Sequence, residues 1–101
     1  MEDIQSEDFL KLLQELKLPF ILDVREALEY HTYNIGGINI PLAKIQQSID
    51  EEELELDKNQ EIIVICQRGI RSKTAKTILQ QNGFKNVRNL TGGLVKLQQY
   101  L

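Results

Sequence analysis

Apolar residues along the chain follow two alternating periodicities, which predict strands and helices in turn. Strand-like segments lie at 20–23, 38–40, 61–66 and 87–90, and helical segments at 6–16, 26–30, 41–48, 72–82 and 94–101. In the first helix, Ser6 is predicted to cap the N-terminus, and the apolar residues at helical spacing are Phe9, Leu10, Leu13 and Leu16. Strands that alternate with helices indicate an α/β fold, a parallel sheet covered by helices on both faces.

The most apolar strand, 61–66, contains an unbroken, mostly β-branched run, which is typical of a central strand buried on both faces. Cys66 stands at its carboxyl end, and Asp23 stands at the carboxyl end of an earlier strand. Because ligands bind outside the carboxyl ends of such strands, both side chains are expected to open onto one edge of the sheet. That edge is the predicted functional site.

Composition limits the classes of function. A length of 101 residues suits a single domain, 1–101, and a net charge of −3 argues against nucleic acid as a partner. One cysteine allows no internal disulfide and no cysteine-rich metal site. No apolar run is long enough to cross a membrane and no signal peptide is visible, so we expect a cytoplasmic protein with a reduced thiol and no membrane partner. The acidic segment 50–57 suits either a solvated surface or a docking patch for a basic partner.

The segment 66–72, CQRGIRS, leaves the central strand and enters a helix. A tight loop there would turn backbone N–H groups inward, and the helix dipole would add positive potential. Gly69 permits such a backbone, and Arg68 and Arg71 add positive charge. These features favour a thiolate at Cys66, although a small buried apolar side chain is the plainer interpretation. His31, the one histidine, is expected at the surface rather than as a general base.

The same segment resembles the active-site loop of the rhodanese-like sulfurtransferases, C-x-x-G-x-R-S. Further matches follow in family order: LDVRE at 22–26, EY at 29–30, NIGG at 34–37, IPL at 40–42 and LTGG at 90–93. The resemblance covers about 4–97 and implies a rhodanese-like fold with a small central parallel sheet of about five strands. Asn34 stands where the family often has histidine, and Leu97 where it often has an aromatic residue.

The resemblance also implies roles for individual residues. Cys66 would be the catalytic nucleophile, and Arg71 would close the loop around it. The loop residues expected to bind substrate are Gln67, Arg68, Gly69, Ile70 and Ser72. Asp23 resembles the acidic residue that braces the loop, but capping of the following turn explains it equally well.

The implied reaction moves sulfur from a donor such as thiosulfate, through a persulfide on Cys66, to cyanide or a thiol. No metal or organic cofactor is implied. The sequence NIGG at 34–37 is similar to that of rhodanese domains fused behind adenylating enzymes of sulfur-carrier pathways. Besides small molecules, the partners considered are therefore a sulfur-carrier protein, a cysteine desulfurase or a small dithiol protein.

Two other functions remain as alternatives. Cysteine-dependent phosphatases, considered together with arsenate reductases, use C-x5-R, whereas four residues separate Cys66 from Arg71 in this chain. The shorter loop makes a smaller cradle, which suits a sulfur atom better than a phosphoryl group. A binding module without activity would usually have lost the cysteine, but this chain keeps it together with Gly69 and Arg71.

Overall fold

A computed structural model describes residues 2–101 and contains a four-stranded parallel sheet in the order β2-β1-β3-β4. The strands are β1 Phe20–Asp23, β2 Ile38–Asn39, β3 Glu61–Ile65 and β4 Asn86–Asn89. The helices are α1 Ser6–Gln14, α2 Ala27–Thr32, α3 Ile45–Asp50, α4 Arg71–Gln81 and α5 Gly93–Gln98, and a 3-10 turn, Leu42–Lys44, precedes α3. The predicted α/β fold is confirmed.

The central strand β3 separates two apolar layers because its side chains alternate between the faces of the sheet. Ile62 and Val64 pack with α3 and α4 on one face. Ile63 and Ile65 pack with α1 and α5 on the other face. All four side chains are fully buried, as the apolar run predicted. Within residues 2–101, no helix is long and apolar enough to span a membrane.

Two predictions about the first helix were wrong. Gln5 occupies the N-cap position, and Ser6 is the first helical residue, buried and with no hydrogen-bond partner for its Oγ among the described residues. The helix ends at Gln14, and Leu16 has a φ of 57° and a side chain that is 91% exposed. Leu16 leaves the apolar face because the chain must turn towards β1 before it reaches Pro19.

The sheet has four strands instead of about five, because the segment before α1 adds only one bridge, from Ile4 to Leu90. The predicted helix at 41–48 begins as the 3-10 turn and becomes α-helical only at Ile45. At the carboxyl ends of the two inner strands, Asp23 pairs in register with Ile65, the residue before Cys66. The carboxyl ends of β1 and β3 therefore share one edge, as predicted.

Candidate active site

Cys66 lies directly after β3 at the bottom of a loop that wraps around its sulfur. The residue is 1% exposed. Its Sγ accepts the backbone N–H of Gly69 at 3.0 Å and that of Ser72 at 3.4 Å, and lies 3.2 Å from the Ser72 hydroxyl oxygen. The sulfur thus has donors on the loop side, as expected for a site that holds an anion.

The loop is fixed by α5, which lies against it. The backbone N–H of Leu94 donates to the Cys66 carbonyl and that of Val95 donates to the Gln67 carbonyl, each at 3.0 Å. A Cβ on Gly93 would lie 2.5 Å from the Gln67 carbonyl oxygen, so only glycine allows this approach. Because α5 binds these carbonyls, the loop turns its amide groups towards the sulfur.

Gly69 is the turning point of the loop. Its φ is +86°, a left-handed conformation that costs other residues roughly 1–2 kcal/mol. A Cβ there would also lie 3.0 Å from the Gly92 nitrogen. The predicted need for glycine at this position therefore has two physical causes, the backbone angle and the close packing.

The pKa of the Cys66 thiol reflects opposing effects. Burial raises this pKa, but the hydroxyl and backbone N–H of Ser72 and the backbone N–H groups of Arg68 and Gly69 outweigh burial, so the pKa falls below its usual range. The N-terminus of α4, which begins at Arg71, adds its positive dipole end. The thiolate is consequently more populated near neutral pH than it would be for an ordinary cysteine.

Glu29 of α2 is a site residue that the sequence analysis missed. Its carboxylate binds the Arg71 guanidinium in two contacts, Nη1 to Oε1 at 2.6 Å and Nη2 to Oε2 at 2.9 Å. The hydrogen bond from Arg71 lowers the pKa of Glu29 to about 2. Glu29 also accepts the backbone N–H of Glu26 in a capping box at the start of α2. Arg71 is therefore held at the rim of the loop, turned towards α2.

Asp23 is fully buried and does not contact the loop directly. Its carboxylate accepts the backbone N–H of Arg25 at 3.0 Å and binds the Arg25 guanidinium, with the shortest contact at 2.8 Å. Arg25 in turn donates to the side-chain oxygen of Gln67 at 3.4 Å and to the Tyr33 carbonyl at 2.7 Å. Asp23 thus reaches the loop only through Arg25, which sequence reasoning had not singled out.

Two adjoining clefts open around the loop. The first, called the loop cleft, has a volume of about 420 Å³ and is lined by Glu29, Cys66, Gln67, Arg68, Ile70 and Arg71. The second, called the α2 cleft, has a similar volume, shares Glu29 and Gln67, and continues past Leu28 and Tyr33. Arg68 is exposed, Ile70 is 72% exposed and Leu28 is 80% exposed, so the rim combines a positive charge with apolar side chains.

The remaining candidates lie outside this arrangement. His31 is exposed on α2 with its ring against Tyr30, as the surface interpretation predicted. Within residues 2–101, no group of three or more His, Cys, Asp or Glu side chains could hold a metal ion.

A sequence profile described as Rhodanese-like domain matches residues 5–100. The chain belongs to the rhodanese-like family. Relatives of this rhodanese-like chain include YrkF of Bacillus subtilis, named as a candidate sulfur carrier protein, which is 40% identical over 75 residues. Another is the adenylyltransferase and sulfurtransferase MOCS3 of Arabidopsis thaliana, 29% identical over 104 residues. The matches cover 73% and 90% of this chain but only 38% of YrkF and 22% of MOCS3.

Solved structures agree with the family assignment. A rhodanese-related protein from Thermoplasma volcanium superimposes with a TM-score of 0.79 at 28% identity, covering 99% of this chain and 93% of that one. The rhodanese fold predicted from the loop and its accompanying motifs is therefore confirmed, and sulfurtransferases occur among the relatives.

Proposed function

We propose that this rhodanese-like chain is a sulfurtransferase in which Cys66 carries sulfur as a persulfide. The Cys66 thiolate attacks the outer sulfur of a donor such as thiosulfate, so that a new S–S bond forms, the donor's S–S bond breaks, and sulfite leaves with the electron pair. Cyanide or a thiolate then attacks the outer sulfur of the persulfide, and Cys66 leaves again as a thiolate. The protein ends each cycle unchanged.

The observation that carries this proposal is the set of donors around one sulfur. Gly69 and Ser72 direct N–H groups at Sγ, which favours the thiolate that must attack and leave. The backbone N–H groups of Ile70 and Arg71 donate to no acceptor within the described residues, so they are available to the outer sulfur or to a donor's oxygens.

The other loop residues have supporting roles in the proposal. Arg71, oriented by Glu29, and the exposed Arg68 attract an anionic donor to the loop cleft. Gln67 connects the loop to Arg25, and through it to Asp23, so that this pair braces the loop from β1.

The test is intact-protein mass spectrometry after reduced protein is incubated with thiosulfate. We expect a gain of one sulfur atom that is lost on addition of cyanide or a thiol. Cys66→Ser is the matched control, because it replaces sulfur with oxygen in a nearly identical shape, and it should gain nothing. If Cys66 reacts with an alkylating agent but accepts sulfur from neither thiosulfate nor a persulfide, the domain is a binding module and the proposal fails.

Phosphatase activity is tested in the same preparation. A phosphoryl group has to fit among the loop amides, and four residues between Cys66 and Arg71 enclose a smaller cradle than the C-x5-R loop does. Turnover of an aryl phosphate without any sulfur loading would favour a phosphatase over a sulfurtransferase.

We further propose that a protein is the physiological acceptor. Leu28 and Ile70 are exposed apolar side chains on either side of the two adjoining clefts. Such side chains do not contribute to binding a small anion, but they can pack against a protein. The similarity to MOCS3, a much longer protein that is named a sulfurtransferase, supports a protein-borne thiol or chain end as the acceptor. The α2 cleft would bind the segment of the acceptor protein that lies beside its accepting group.

A further inference from the structure

Asn89, at the carboxyl end of β4, lies beneath the loop and has no part in the mechanism proposed above. Its side chain is buried. Its Nδ2 donates to the Gly69 carbonyl at 3.2 Å, and its Oδ1 accepts the Ser72 hydroxyl. Its backbone N–H donates to Asp3 Oδ1 at 3.0 Å, and its carbonyl accepts the Ile4 N–H. Side chain and backbone are both fixed, so Asn89 holds one defined orientation.

The hydrogen atoms in this network can be counted. A carbonyl only accepts, so Gly69 requires the amide nitrogen of Asn89 on its side, and the amide oxygen faces Ser72. Ser72 has a single hydroxyl hydrogen. While Asn89 accepts that hydrogen, the Cys66 thiol must donate to Ser72 Oγ across their 3.2 Å contact. Once Cys66 ionises, its sulfur can accept but no longer donate.

We infer that Asn89 is a positioning residue that competes with the Cys66 sulfur for the hydroxyl hydrogen of Ser72. The hydroxyl points to Asn89 when the sulfur is a thiol or is bonded in a persulfide, and it turns to the sulfur when that is a thiolate. This turn leaves the Asn89 oxygen without a donor. The thiolate therefore gains the hydroxyl only at the cost of the Ser72–Asn89 hydrogen bond, so its net stabilisation is smaller, and a less stabilised thiolate is a stronger nucleophile.

The loop has supports besides Asn89. Leu94 and Val95 bind its carbonyls from α5, and Gly69 packs against Gly92. Replacing Asn89 alters none of the charged groups around the sulfur. Those groups are Arg68 and Arg71 of the loop, Glu29 of α2, the Asp23–Arg25 pair beside β1, and Asp3 behind β4 with its ion-pair partner Lys76.

The test measures the alkylation rate of Cys66 by iodoacetamide against pH in wild type and in Asn89→Leu. Without its competitor, the Ser72 hydroxyl binds the thiolate with no loss of another hydrogen bond, which raises the thiolate-to-thiol ratio about tenfold. The nucleophilicity of that thiolate falls about threefold. We therefore expect alkylation to be about threefold faster well below the thiol pKa and about threefold slower at the alkaline plateau. In a Ser72→Ala background, Asn89→Leu should change neither rate.

Slower alkylation at every pH, or the same change with and without Ser72, would show that Asn89 only supports the loop and would overturn the inference. Circular dichroism establishes whether each variant folds. If Asn89→Leu does not fold, Asn89→Ser replaces it, because a side chain one bond shorter does not reach Ser72. Loss of folding in both variants would also overturn the inference. The inference rests on the proposed nucleophile, but alkylation requires no sulfur transfer, so the two can fail separately.

Discussion

Replacing Glu29 with glutamine tests how Arg71 is held at the loop. The variant removes the charge but keeps a side-chain oxygen that can accept the Glu26 N–H, which Glu29 Oε1 accepts at 3.0 Å. The capping box at the start of α2 can therefore persist, whereas the two contacts with Arg71, at 2.6 and 2.9 Å, lose their charge pairing. We expect a folded protein in which Arg71 is less firmly oriented.

The magnitude follows from the pKa of Glu29, which the hydrogen bond from Arg71 lowers from 4.5 to about 2. An unscreened shift of that size would correspond to several kcal/mol. Both side chains are 35% exposed, however, and pairs this accessible to water contribute about 1 kcal/mol or less. In a domain of this size, about 1 kcal/mol lowers the midpoint of thermal unfolding by roughly 4–8 °C.

The assay is thermal unfolding followed by circular dichroism from about pH 7 to about pH 3. A carboxylate with a lowered folded pKa stabilises the protein above its unfolded pKa of 4.5, and this contribution is lost as the pH falls towards about 2. The difference between wild type and Glu29→Gln should therefore shrink by more than half at about pH 3. Glu15→Gln, at an exposed carboxylate, is the charge-matched control. An equal difference at both pH values would refute the charge pairing of Glu29 with Arg71.

Three further predictions concern the loop and its rim. Gly69→Ala should slow sulfur loading and destabilise the fold more than Gly36→Ala, as measured by loading assays and unfolding curves. Both glycines have a positive φ, but of the two only Gly69 would bring a Cβ against a neighbouring backbone atom. The pH at which alkylation of wild-type Cys66 is half-maximal should lie below 9.0, the usual pKa of a thiol, and alkylation should decline as the pH falls through the lowered pKa; a midpoint above 9.0 would contradict the account of the donors. Leu28→Ser should slow transfer to a protein acceptor about tenfold without affecting transfer to cyanide, whereas Leu16→Ser, at another largely exposed leucine, should affect neither.

The contiguous part of the site was predictable because neighbouring residues in the chain build it. Cys66, Gly69 and Ser72 come from one strand-to-helix connection, and their spacing alone indicates a loop around the sulfur. Glu29 and Asn89 come from α2 and β4, far from the loop in sequence. Only the packing of those elements shows that Glu29 faces Arg71 and that Asn89 faces Ser72. The sequence signals for Glu29 were its place in the EY match at 29–30 and its spacing from Glu26, which is that of a capping box.

The errors in the fold have a similar origin. Helical spacing placed Leu16 on an apolar face, but the chain leaves the helix before that residue in order to reach β1. Ser6 has the chemistry of a cap, yet Gln5 takes the position and Ser6 turns inward. Local pattern indicates which residues favour an element, whereas the path to the next element decides where it ends.

The dependence of the loop on α5 has a consequence for the order in which the protein matures. The groups that bind the loop carbonyls belong to Leu94 and Val95, which are synthesised well after Cys66. The sheet can begin to assemble from β1 and β3, but the sulfur acquires its full set of donors only when α5 docks. On a ribosome-bound chain we therefore expect the cysteine to behave as an ordinary thiol, and we expect the proposed capacity to accept sulfur to arise only when folding is complete.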